Sequence, residues 1–165
     1  MQTRPFPSTP DDRSPAGAEI RHLIDSETGS MIHSTVGPGQ VNRATVHATV
    51  SEFWHIISGE GQLWRRDATG EEMTVLAGGT SIDIPVGTAF QYRCTGEAPL
   101  QFICVSMPRW PGHTEATVVE GPWNPTLPKA EEATRGIAAR HRCLVTATVT
   151  RCRTGSGRCA RFVGC

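Results

Sequence analysis

The stretch TVHATVSEFWHIISGEG (residues 45–61) puts His47 five positions ahead of Glu52, then runs through an apolar segment into a Gly-Glu-Gly turn. Read as a strand, it places Glu52, Trp54 and Ile56 on one face and His55 on the other, because successive side chains alternate across a sheet. A histidine and a glutamate so placed have three readings. They hold a metal, they do acid-base chemistry without one, or they line a core.

The rest of the chain supplies the frame for that strand. From residue 19 onward, short runs rich in Val, Ile, Thr and aromatics alternate with Gly, Pro and acidic turn residues. The expected strands cover 19–24, 30–36, 43–48, 52–58, 61–66, 72–77, 80–85, 89–94 and 100–107, at a spacing of about ten residues that argues for an antiparallel sandwich or barrel. Links such as SGEG and CTGEAP are short turns in which glycine supplies positive φ. Residues 108–128 carry five prolines and two tryptophans. They are not expected to form regular sheet, since proline removes ladder donors, and their tryptophans are expected to pack across the barrel surface or mouth.

The 165 residues suffice for one domain and tails. Residues 1–18, with four prolines and no periodicity, read as a flexible arm. Residues 1–128 hold 8 Arg and no Lys against 14 acidic residues, a balance of −6. Residues 129–165 hold 8 basic against 2 acidic residues, a balance of +6, and the net charge is zero only because the two cancel. That asymmetry marks a boundary. Beyond it, AEEATRGIAARHRC reads as a short helix, while Cys143, Cys152, Cys159 and Cys165 form no CxxC pair, so the tail reads as poorly ordered and not as a zinc site. No run of 18 apolar residues and no signal-like opening is present, so a soluble, cytoplasmic protein without a membrane partner is expected. Nucleic acid is not expected either, since the barrel is acidic and no phosphate loop with lysine and helix appears.

Around the opening stretch the spacing Gly39-x5-Thr45-x-His47-x4-Glu52-x6-Gly59 resembles the first motif of the cupin superfamily, GxxxxxHxHxxxxExxxxxxG, with Thr45 where the leading histidine belongs. After nineteen intervening residues, Gly79-x5-Pro85-x-Gly87-x2-Phe90-x3-Cys94 is similar to the second motif, GxxxxxPxGxxHxxxN, with Phe90 in place of histidine and Cys94 in place of asparagine. Seven framework positions match in register. The resemblance spans about residues 19–115 and implies an all-β double-stranded β-helix, a jelly-roll-like barrel whose mouth holds a small-molecule site. It also implies homodimerisation and, in many members, a divalent Fe, Mn, Zn or Ni ion on the two motif-one histidines, the glutamate and the motif-two histidine. Of that set only His47 and Glu52 remain here.

Two ligands are too few for a first-row metal, which ordinarily takes three or four converging donors. The leading expectation is therefore an enzyme without a metal cofactor, an isomerase, cyclase or lyase of specialised metabolism. In it His47 is base or acid, Glu52 its partner and Tyr92 a hydrogen-bond donor to a developing oxyanion. Thr45, Trp54, Trp64, Phe90, Cys94 and Phe102 are the candidate substrate-binding walls. The alternatives are a metal-dependent oxygenase or hydrolase that completes its site with Cys94, Tyr92 or substrate atoms, and a non-catalytic ligand-binding barrel.

Overall fold

A computed structural model describes residues 1–128. The basic tail from residue 129, with its expected helix and four cysteines, lies outside the described residues.

Among the described residues the fold has eleven strands and one short 3₁₀ turn (His113–Glu115): β1 (Asp12–Arg13), β2 (Glu19–Asp25), β3 (Ser30–Val36), β4 (Thr45–His47), β5 (Ser51–Ser58), β6 (Glu60–Asp67), β7 (Gly70–Ala77), β8 (Ser81–Ile84), β9 (Ala89–Cys94), β10 (Leu100–Met107) and β11 (Ala116–Val118). They form two antiparallel sheets, one in the order β1-β2-β3-β10-β5-β8 and the other β11-β4-β9-β6-β7. Non-consecutive neighbours such as β10 beside β3 and β5 carry the chain repeatedly from one sheet to the other, which gives the barrel its jelly-roll course.

Alternation explains how the sheets meet. In β5 the even positions Glu52, Trp54 and Ile56 are buried, while Phe53, His55 and Ile57 face outward. Leu100, Phe102 and Cys104 of β10 continue that inner face, and Leu63 of β6 with Phe90, Tyr92 and Cys94 of β9 oppose it, in one apolar cluster between the sheets. Each large side chain so buried contributes about 1.5–3 kcal/mol. The connection from β5 to β6, which carries the chain from one sheet to the other, turns at Gly59 with φ 80°. A Cβ there would collide with the Pro99 carbonyl, so both the backbone twist and the close approach require glycine.

The nine expected strands all appear, with ends within two or three residues. Two segments differ. Part of residues 1–18, expected as a flexible arm, is built into the barrel: the Asp11 N–H donates to the Ile20 carbonyl, β1 pairs with β2, and Ala16 and Ala18 are buried. Phe6 packs edge-on against His33 on the outer face of the six-stranded sheet, with ring centroids 4.9 Å apart. The attachment is largely made by backbone groups along the open edge of β2, which composition does not report. The segment 108–128, expected to hold no sheet, contains β11, which pairs with β4. Its ladder falls in the proline-free window Thr114–Glu120.

Candidate functional site

His47 ends β4, a strand of only three residues, and Glu52 is the second residue of β5 after a tight connection. Glu115 fixes that connection. Its buried carboxylate accepts the backbone N–H of Thr49 (2.6 Å) and of Val50 (2.9 Å) and the Thr49 hydroxyl (2.8 Å). Burial pushes its pKa up, but these hydrogen bonds and the neighbouring His47 outweigh that and hold it below the usual carboxylate value.

The two motif residues meet in the barrel interior. His47 is 4% and Glu52 7% exposed. His47 Nδ1 lies 3.8 Å from Glu52 Oε1, within ion-pair range but too long for a hydrogen bond, and makes no hydrogen bond among the described residues. Glu52 is fixed by its own wall. Oε2 accepts the Trp54 indole N–H at 2.9 Å and Oε1 the Ser106 hydroxyl at 3.4 Å. The imidazole is held edge-on by Phe90 and by Trp110, each with a centroid separation of 5.1 Å.

Both residues line a cavity of about 270 Å³ between the sheets, to which Trp54, Phe90, Tyr92 and Phe102 contribute aromatic lining. Trp54 stacks on Phe102 at 4.4 Å, and Tyr92 meets Trp54 edge-on at 5.0 Å. Burial, and after it the Glu52 charge, push the Tyr92 phenol well above its ordinary pKa, so it keeps its proton as a donor. The same two causes push up the Cys104 thiol, which makes it a poor nucleophile.

Of the expected site residues, His47, Glu52, Tyr92, Thr45, Trp54, Phe90 and Phe102 line this cavity, and Trp64 and Cys94 do not. Trp64 faces the other side of its sheet, since Leu63 takes the inward position. Its ring is packed under Val119 and Trp123, and its indole N–H donates to Glu71. Cys94 shares the face of Phe90 and Tyr92 but lies farther along the strand, opposite Gly61, where its thiol donates to the Ala98 carbonyl. Trp110, Ser34, Cys104 and Ser106 line the cavity without having been expected there. Period-two reading from Phe102 points to Cys104 and Ser106, whereas Trp110 and Glu115 sit in a segment with no periodicity to read.

A metal at the motif position would draw on residues 45, 47, 52 and 90. Thr45 and Phe90 stand opposite each other across the β4–β9 ladder, so the two altered positions fall together as a hydroxyl and a phenyl ring. Glu52 already accepts two hydrogen bonds, and Cys94 is out of reach. No three His, Cys, Asp or Glu side chains converge among the described residues. The side chains present do not fit a site of three or four donors.

Residues 32–106 match the family model of the cupin domain. No curated protein matches the chain. Among solved structures, a conserved protein with a double-stranded β-helix domain from Klebsiella pneumoniae is 20% identical with a TM-score of 0.53, the match covering 72% of this chain and 91% of that one. The capsular polysaccharide assembling protein CapF from Staphylococcus aureus is 19% identical at TM-score 0.57, over 72% of this chain and 33% of its own. Oxalate decarboxylase from Bacillus subtilis, with Mn(II) centres, is 17% identical at TM-score 0.57, over 68% and 30%. This chain thus spans about a third of the last two, and at such identity they share its fold alone. Family match, barrel topology and the spaced glycines and prolines agree: residues 32–106 form a cupin domain.

Proposed function

We propose that this cupin binds a small organic molecule in the interior cavity and moves a proton on it without a metal, as an isomerase, cyclase or lyase. The observation that carries the reading is the buried His47–Glu52 pair on the cavity wall, with the Nδ1 edge of the imidazole unbonded and its carboxylate partner held in place at 3.8 Å. An imidazole in such a site abstracts a proton next to a carbonyl, the carboxylate balances the resulting imidazolium, and the protonated Tyr92 steadies the enolate oxygen. Returning the proton at another atom completes an isomerisation. Expelling a leaving group instead completes a lyase reaction.

The test needs no knowledge of the natural substrate. A panel of small ketones and lactones is incubated with the full chain in D₂O, and exchange at the carbon beside the carbonyl is followed by NMR. Wild type is expected to accelerate exchange of at least one member, and His47→Ala to lower that rate about 10²–10⁴-fold. Exchange that His47→Ala leaves unchanged would overturn the mechanism. Binding without exchange in either protein would make the barrel a non-catalytic binder.

A further inference from the structure

We propose that Ser14 and Ser34 are positioning residues for Tyr92: both give their hydroxyl protons to the phenol oxygen, and so turn the phenol O–H into the cavity as the donor to the ligand's oxygen. This deepens the proton-transfer reading above and rests on it.

Three hydroxyls from three parts of the chain meet on the cavity wall. Tyr92 comes from β9, Ser34 from β3 in the opposite sheet, and Ser14 from the segment that follows β1. Burial drives the phenol pKa up, and the Ser34 and Ser14 hydroxyls, which face it, oppose that rise, as donors to its oxygen do. The backbone of Tyr92 is fixed by Asn42, whose side chain accepts its N–H at 2.6 Å and whose own N–H donates to its carbonyl at 3.1 Å.

Each serine has its proton to give. Ser14 sits at a turn in which its N–H donates to the Ala18 carbonyl (2.9 Å) and its carbonyl accepts the Gly17 N–H (2.8 Å). Its Oγ accepts the Ala18 N–H at 3.1 Å, so the hydroxyl proton is left for another acceptor. Ser34 is 2% exposed, and its Oγ has no hydrogen-bond partner among the described residues. Its neighbours across the ladder, Phe102 and Ile20, are apolar, which leaves the facing phenol as the acceptor that a small movement reaches. A phenol oxygen that accepts from two donors keeps its own O–H for a third partner. Among the described residues no hydrogen bond joins it to Glu52, whose oxygens accept the Trp54 indole N–H and the Ser106 hydroxyl. Accepting also polarises the phenol, which makes its O–H the stronger donor to an enolate oxygen.

Tyr92 is the only tyrosine of the chain, so the tyrosine Fermi doublet in the Raman spectrum of the full-length protein reads its hydrogen bonding alone. The intensity ratio of the two bands is high when the phenol oxygen accepts and low when the O–H only donates. Ser14→Ala and Ser34→Ala are each expected to lower the ratio, the double variant to lower it further, and Ser14→Thr, which keeps the hydroxyl, to leave it unchanged. In the deuterium-exchange assay, with the ketone or lactone that wild type exchanges fastest, Ser14→Ala is expected to lower kcat about three- to ten-fold with KM nearly unchanged. In a Tyr92→Phe background the same substitution is expected to cost less than about two-fold, because it acts through the phenol. An unchanged or raised ratio in either alanine variant would overturn the proposal, a rise meaning that the phenol donates to the serine. So would equal losses of rate with and without the Tyr92 hydroxyl, or a loss in Ser14→Thr as large as in Ser14→Ala. The catalytic reading fails separately. If wild type exchanges no ketone or lactone, the chemistry falls while the doublet still decides whether the serines give to the phenol. If exchange depends on His47 and the doublet ignores both serines, the positioning falls and the chemistry stands.

Discussion

Glu115 shows how much of this site depends on a residue outside the motifs. Its carboxylate holds the two backbone N–H groups that fix the turn between His47 and Glu52. Glu115→Ala is expected to cost about 3 kcal/mol in urea denaturation, because the loss strands buried donors at about 1–3 kcal/mol each. Its lowered pKa also sets a pH dependence. Its contribution to stability is complete above the ordinary value of 4.5 and is lost as pH falls through the lower folded-state value. Stability measured from pH 7 downward should therefore fall more steeply in wild type than in Glu115→Gln. The sequence pointed to His47 and Glu52 because their spacing is a motif. Trp64 was misplaced because Leu63 and Trp64 are adjacent apolar residues, of which only one can face inward, and nothing local says which.

Strands were legible where side chains carried the pattern, as in β5 with its buried Glu52, Trp54 and Ile56. They were illegible where backbone edges did the pairing, as in the two residues of β1 and the three of β11. The glycines of the first motif likewise differ in what they do. Gly39 has φ 69° with nothing within 4 Å of an added Cβ, whereas at Gly59 that Cβ would also lie 2.7 Å from Leu100 Cα. Gly39→Ala is expected to cost about 1–2 kcal/mol, the left-handed penalty alone. Gly59→Ala is expected to cost at least about 3 kcal/mol, since strain and overpacking add. Chemical denaturation of the two variants compares them directly, and equal losses would mean that the β5–β6 connection yields to Pro99.

At the scale of the molecule, the outer face of the six-stranded sheet carries an apolar row among polar residues. Met31, Val105 and Phe53 stand in one row across β3, β10 and β5, and Phe53 is 48% exposed, as are Ile57 and Met107. We propose that a second copy covers this face, and sedimentation velocity over a hundred-fold concentration range is expected to show a dimer that Phe53→Lys dissociates. A monomer throughout would reject it. The chain has also closed upon itself at one short loop. Ala16 accepts the Arg43 N–H, and Val41 accepts the N–H groups of both Thr126 and Leu127. The entering and the departing segments are thus tied to the same few residues, and residues 12–16 form one wall of the cavity. Residues 39–43 act as a clasp. Amides of residues 18, 43, 126 and 127 are expected to exchange with solvent as one cooperative unit, more slowly once the cavity is filled. A molecule placed in the cavity is expected to leave no faster than this unit opens, so its dissociation rate and the exchange rate of these amides should rise together in Thr126→Pro.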